Sequence, residues 1–301
     1  AIYVIAGGYM ATAINDFIQG IIMLFGIVAV IAAVIHSKGG FMSALQGLAN
    51  VSDPAVSDTP GIFASFFGPD PFNLLCVVIL TSLGTWGLPQ MVQKFYAIDN
   101  EASIQKGTVI STIFALIVSG GCYFLGGFGR LFSDQIDVKA NGFDSIIPTM
   151  LSNLSPALIA LVVILVLSAS MSTLSSLVIA SSSTLTIDFL KDNFIKNMSD
   201  KKQVLYIRIL VVVFIAISAI LALIQYKSSV TFIAQLMGIS WGALAGSFLA
   251  PFMFSLYSKK VSKASCWACF LFSSVLMLAN IFFRAGFPTW LQSPINCGAV
   301  A

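Results

Sequence analysis

Residues 156–190 read PALIALVVILVLSASMSTLSSLVIASSSTLTIDFL, a run in which the first charged side chain is Asp188. About 20 apolar residues suffice for a helix to cross the hydrocarbon of a bilayer. The run therefore predicts a membrane-spanning helix that extends beyond the bilayer. Six further segments satisfy the same length rule: 14–35, 72–92, 107–129, 204–224, 230–256 and 264–283. The expected fold is an all-α, polytopic membrane protein with about seven transmembrane helices.

Composition agrees. Hydrophobic residues make up 58% of the 301 and charged residues 9%, with a mean hydropathy of +0.96. Soluble domains are roughly 25% charged, so the solvent for this surface must be lipid. A net charge of +3, with no basic cluster interleaved with aromatics, gives no footprint for nucleic acid. The cysteines are scattered, and the Cys266-Trp267-Ala268-Cys269 pair lacks both the further ligands of a metal site and the βαβ setting of a redox motif. Packing is their expected role. The first residue is Ala rather than Met and no charged leader precedes the first apolar run, so an internal fragment is expected.

Gly84, Gly87 and Pro89 inside the second span predict a kink or unwound turn whose freed carbonyls are buried or solvated. The loops after spans two, four and six hold ten cations: Lys94, Lys106, Lys191, Lys196, Lys201, Lys202, Arg208, Lys259, Lys260 and Lys263. The alternate side holds five: Lys38, Arg130, Lys139, Lys227 and Arg284. The positive-inside rule makes the first set cytoplasmic, and loop 36–71 an extracellular connection.

Few residues inside these spans bear chemistry. Asp16, in Ile14-Asn15-Asp16-Phe17-Ile18-Gln19, is the one acid away from loops and span ends. It is read either as a carboxylate at membrane depth facing a water path or as a helix-start cap. In span four, Ala169, Ser172, Thr173 and Ser176 recur at i, i+3, i+4 and i+7 and share one small, hydroxylic face. Spacing alone favours close helix packing there. The rival reading is a sodium site, to which two hydroxyls and a carbonyl contribute about three oxygens, short of a full shell. Trp86, Gln90, Gln235 and Trp241 are weaker candidates for contact with a solute. No nucleophile set, phosphate loop or intramembrane carboxylate pair is present, so no enzyme is expected.

Four stretches together resemble the sodium:solute symporter family, which includes sodium/galactose and sodium/proline transporters. Gly7-Gly8-Tyr9-Met10-Ala11 with Asn15-Asp16-Phe17-Ile18-Gln19-Gly20 is similar to its Gly-Gly…Ala…Thr-Asp-x-x-Gln signature, Asn15 standing where Thr is usual. Gly87-Leu88-Pro89-Gln90 with Lys94-Phe95-Tyr96-Ala97 resembles the Gly-Gln-Pro-His stretch of proline transporters. The third runs from Ala169 through Met171-Ser172-Thr173-Leu174-Ser175 to Ser183 and Asp188-Phe189-Leu190-Lys191. The fourth is Leu256-Tyr257-Ser258-Lys259-Lys260 with Lys263-Ala264.

The resemblance implies a leucine-transporter-like bundle of two inverted five-helix repeats. Residues 1–301 would hold part of it: the fifth core helix, the second repeat and one peripheral helix. It also implies a sodium site at Ala169, Ser172 and Thr173, which reverses the preference for packing, and a place for Asp16 on the sodium exit path. Substrate positions match poorly, leaving Trp86, Gln90 and Gln235 as candidates only. The implied activity is sodium-coupled uptake of a small solute by alternating access, in a multi-pass plasma membrane protein such as one of a bacterial inner membrane. Sodium is the coupling ion, no cofactor is expected, and lipid, sodium and solute are the partners. The alternative is the symporter-like membrane domain of a sensory histidine kinase.

Overall fold

The computed structural model describes residues 2–96, 98, 100–136, 142–152, 154–228 and 233–301. Ala97 and Lys139 lie outside the described residues, as do the side chains of Lys94 and Lys227. Among the described residues the secondary structure is helical, apart from an isolated bridge between Asp53 and Ser57. The helices are α1 (Ile2–Ser37), α2 (Phe41–Ala49), α3 (Pro71–Ser82), α4 (Pro89–Phe95), α5 (Glu101–Gly127) and α6 (Ile146–Ser152). They continue as α7 (Pro156–Thr184), α8 (Asp200–Ser228), α9 (Ile233–Tyr257), α10 (Lys263–Phe283), α11 (Thr289–Gln292) and α12 (Pro294–Val300).

Six of the described helices are long and apolar enough to cross a membrane, and Pro71–Gly87 is a shorter apolar one. Their outer faces carry large exposed apolar side chains such as Phe25, Leu116 and Leu223. Such faces are stable against lipid tails. The chain is a polytopic, all-α membrane protein.

Second-span residues 72–92 do not form one helix. Helix α3 ends at Ser82, Gly84–Gly87 form a 3-10 turn, Leu88 is extended, and α4 starts at Pro89. Pro89 has no N–H to donate back into the preceding turn, so the ladder stops there. The expected break is present. By contrast, the first span starts twelve residues earlier than expected, at Ile2, and is interrupted at Gly8 with φ 59° and ψ −149°. That conformation is open to glycine and strained for other residues. Within loop 36–71, helix α2 forms after Gly39 and Gly40, both at positive φ.

The chain divides into two units. The first comprises Ala1–Ala44, Asp99–Asn141 and Ser145–Ser229. In it, α1 packs along α7 and against α5, and α7 packs on α8. Its core joins Ile27, Val30 and Val34 of α1 to Leu125, Phe132, Met150 and Leu151. A second cluster joins Val4, Val178 and Val211. Lys38 Nζ donates to Leu131 O at 3.0 Å and sits 3.9 Å from the centre of the Phe132 ring. That contact fixes the end of α1.

The second unit comprises Leu45–Ile98, Gly142–Asp144 and Val230–Ala301. Here α9 is the centre, packed on α10, α12 and the 84–87 turn. Gly238, Gly242 and Gly246 form a stripe at every fourth position of α9. A Cβ on Gly242 would lie 2.4 Å from Gly298 Cα, and one on Gly246 would lie 2.6 Å from Ser273 Oγ. Bare backbone lets α12 and α10 approach this closely, as small residues do between membrane helices. Asn280, fully buried, donates to Leu291 O at 2.9 Å and holds α11 against α10.

Candidate functional site

In the first unit the sequence builds one polar seam in an otherwise apolar interface. Thr12, Asn15, Asp16 and Gln19 recur at i, i+3, i+4 and i+7 and share a face of α1. Thr12 and Gln19 are buried, and Asn15 and Asp16 half-buried. Helix α7 runs antiparallel to α1, since Gly26 abuts Leu165 while Asp16 lies beside Ser176. The line of α7 facing α1 is therefore Leu165, Ser172 and Ser176, at i, i+7 and i+11. Apolar packing holds both ends of this seam, so the polar groups between them are held in register.

Ser176 Oγ donates to Asp16 Oδ2 at 3.5 Å, a long contact. One turn earlier on α7, Ser172 Oγ donates to Ala169 O at 3.3 Å. The predicted carbonyl and one predicted hydroxyl are thus adjacent. Thr173 lies beside them on the exposed flank of α7. Ser175 lies on the opposite flank, buried, and donates to Ser172 O at 3.0 Å. It is off the candidate face, as its spacing implies, yet it carries a structural bond.

Asn15 Nδ2 and Gln19 Oε1 are buried without a hydrogen-bond partner among the described residues. Buried polar atoms are nearly always matched, so such exceptions ask for an explanation. Side-chain oxygens, a backbone carbonyl and a carboxylate at about one helical turn are donors of the kind hard cations prefer over soft metals. Among the described residues, no group of three or more His, Cys, Asp or Glu could hold a metal ion.

The position of Asp16 excludes one of its two readings. The helix is already running by Tyr9, so Asp16 is more than a turn beyond any N-terminal amide lacking a partner. It is not a helix cap. The length rule alone puts the start of the span at residue 14, whereas the helix already runs from Ile2 across the kink at Gly8. Gln19 and Ser176 were quoted in the motif and on the face but not singled out as site residues. The signal for both was their i+3 and i+7 spacing from Asp16 and Ala169.

The solute candidates lie in the second unit. Trp86 is exposed in the 84–87 turn and Gln90 is half-buried at the start of α4. A Cβ on Gly87 would lie 2.8 Å from Ala245 O, so this turn abuts α9 near Ala245 and Leu249. Gln235 is half-buried ten residues before Ala245, about 15 Å along the helix. Trp86 and Gln90 therefore share the break, and Gln235 stands apart from it. Cys269 Sγ donates to Gly246 O at 3.1 Å, the packing role expected of that cysteine.

Residues 1–271 match the family model described as the sodium:solute symporter family. The chain belongs to that family. Relatives within this symporter family include the sodium/pantothenate symporter of Haemophilus influenzae, 26% identical over 266 residues, 87% of this chain and 52% of the relative. The high-affinity proline transporter PutP of Bacillus subtilis is 25% identical over 295 residues, 97% of this chain and 59% of the relative. The sodium/proline symporter of Staphylococcus aureus is 28% identical over 275 residues, 87% and 50% respectively. The chain spans about half the length of these relatives. Both family and relatives are transporters, not enzymes, and the chain is a multi-pass plasma membrane protein.

Proposed function

We propose that this chain is the sodium-binding portion of a sodium-coupled symporter. It would comprise the fifth core helix, the second five-helix repeat and one peripheral helix of a leucine-transporter-like bundle. Sodium is held by Ala169 O and the hydroxyls of Ser172 and Thr173, with further oxygens supplied from outside these residues. The observation that carries this reading is the placement of Asp16 beside Ser176, one turn from the Ala169–Ser172 pair. At about 6 Å and an effective dielectric constant near 20, a carboxylate attracts a monovalent cation by roughly 3 kcal/mol. That suffices to draw sodium along the seam without locking it in place. Ser176 lies beyond the ligands toward the end of α7 that leads into the loop carrying Lys191, Lys196, Lys201 and Lys202, the cytoplasmic side by the positive-inside rule, which supports Asp16 as a station on the exit path.

The named relatives carry proline and pantothenate. Both are small carboxylate solutes, and we assign the same class here. Sodium and solute favour one gate arrangement by differential affinity, and the broken second span supplies flexible backbone beside the solute path. The full-length protein, reconstituted in vesicles, should accumulate proline or pantothenate under an inward sodium gradient. Uptake that ignores a collapsed sodium gradient would refute the coupling.

A further inference from the structure

The C-terminal hundred residues carry charge of one sign: no Asp or Glu follows Asp200, while Lys259, Lys260 and Lys263 cluster at the turn from α9 to α10. A positive site with no acid on its own segment needs its counter-charge from elsewhere. The packing beside it is open. Near Gly246 the two helices are in close contact, but five residues further on Pro251 lies inside α9 and has no N–H to donate to the preceding turn. Toward the turn, two adjoining cavities of about 280 and 320 Å³ open, with Pro251 and Cys266 in the walls of both.

Both cavities are polar at one end and apolar at the other. Ser258, Lys260 and Ser265 border the first at the turn, with Phe254 and Cys269 deeper along it. Lys263 borders the second, followed by Trp267 and Phe270. Lys263 to Phe270 is seven residues, about 10 Å along the helix. That is enough to pass from headgroup level into acyl chains. In the first turn of α10 the amides of Ser265 and Cys266 are already engaged, donating to Ser262. Recognition of an anion here falls to the lysine ammonium groups.

We propose that this groove binds one anionic glycerophospholipid, its phosphate on Lys260 and Lys263 and its chains in the two cavities. Basic pockets between membrane helices take anionic headgroups in this way, and each lysine near the surface contributes about fivefold in affinity. A phosphate ion alone would leave the apolar walls unfilled. A zwitterionic lipid would bring no net charge to the lysines. The site is independent of the sodium reading, because none of its residues lies in the first unit.

The test uses full-length protein in detergent, with quenching of tryptophan fluorescence by brominated phosphatidylglycerol. A Trp267→Phe variant isolates the signal. Brominated phosphatidylglycerol should quench Trp267 at far lower mole fraction than brominated phosphatidylcholine, and inorganic phosphate should not compete. The triple variant K259Q/K260Q/K263Q should weaken quenching by roughly fivefold per lysine, while K201Q/K202Q leaves it unchanged. Cys266→Phe, which intrudes on the wall shared by both cavities with the lysines intact, should also weaken it. Equal quenching by the two lipids overturns the proposal, as does displacement by phosphate, an unaffected triple variant or an unaffected Cys266→Phe.

Discussion

Replacing Ser172 with Ala removes a hydroxyl that donates to Ala169 O at 3.3 Å, one turn back on its own helix. A bond that long contributes little, so the stability loss should stay below about 1 kcal/mol. If the same oxygen ligates sodium, its loss should cost about 1.5–3 kcal/mol, the range for hydrogen bonds to charged groups. At 1.4 kcal/mol per decade, half-saturating sodium should rise roughly 10- to 150-fold. Ser175 should behave in the opposite sense. Its hydroxyl is buried and bonded to Ser172 O at 3.0 Å, off the candidate face. Ser175→Ala should lower thermal stability by about 1 kcal/mol and move sodium dependence far less. The assay is a sodium titration of uptake by the full-length protein, with thermal unfolding in detergent measured in parallel. A Ser172→Ala protein with unchanged sodium dependence, or a Ser175→Ala protein with the larger shift, would sink the assignment.

Four further outcomes are expected. Asp16→Asn keeps shape and loses charge, so transport should fall markedly at normal expression; wild-type rates would remove Asp16 from the sodium route. Gly87→Ala puts a Cβ 2.8 Å from Ala245 O and Leu249 Cβ, an overpacking worth about 1–3 kcal/mol, whereas at Gly84 the nearest atom is 3.5 Å away and Ala should be tolerated; equal melting temperatures would show the turn is not seated as described. Cysteines placed in 191–203 or 258–263 should label only from the cytoplasm, and those in 50–60 only from outside, with reversed labelling overturning the orientation. The 301 residues alone, reconstituted in vesicles, should show no sodium-driven uptake, because about three oxygens do not complete a sodium shell; robust uptake would contradict the partial-site reading.

What the sequence discloses follows from what its residues constrain. Long apolar runs have no stable alternative to spanning helices, so span positions were legible. The break at Gly87-Leu88-Pro89 was legible because proline removes a donor wherever it sits. The start of α1 was not legible because about 20 apolar residues already satisfy the length rule, whereas the helix begins at Ile2 and runs on across a kink at Gly8. Helices α2 and α12 were missed for want of length. The Gly238, Gly242 and Gly246 stripe was visible at its spacing, but its occupant, Gly298, lies some fifty residues away. For the site, periodicity put Ala169, Ser172, Thr173 and Ser176 on one face without saying what that face meets. Only the antiparallel packing of α1 on α7 brings Asp16 to Ser176, and only the seating of the 84–87 turn beside Ala245 leaves Gln235 away from the break near Trp86.

Equilibrium binding of radioactive sodium to the purified full-length protein tests the sodium site most directly, with the S172A/T173A variant alongside. Saturable binding by the wild type, lost or weakened at least tenfold in a variant that still unfolds cooperatively near the wild-type temperature, is the expected result. Equal sodium binding by the two proteins would contradict it.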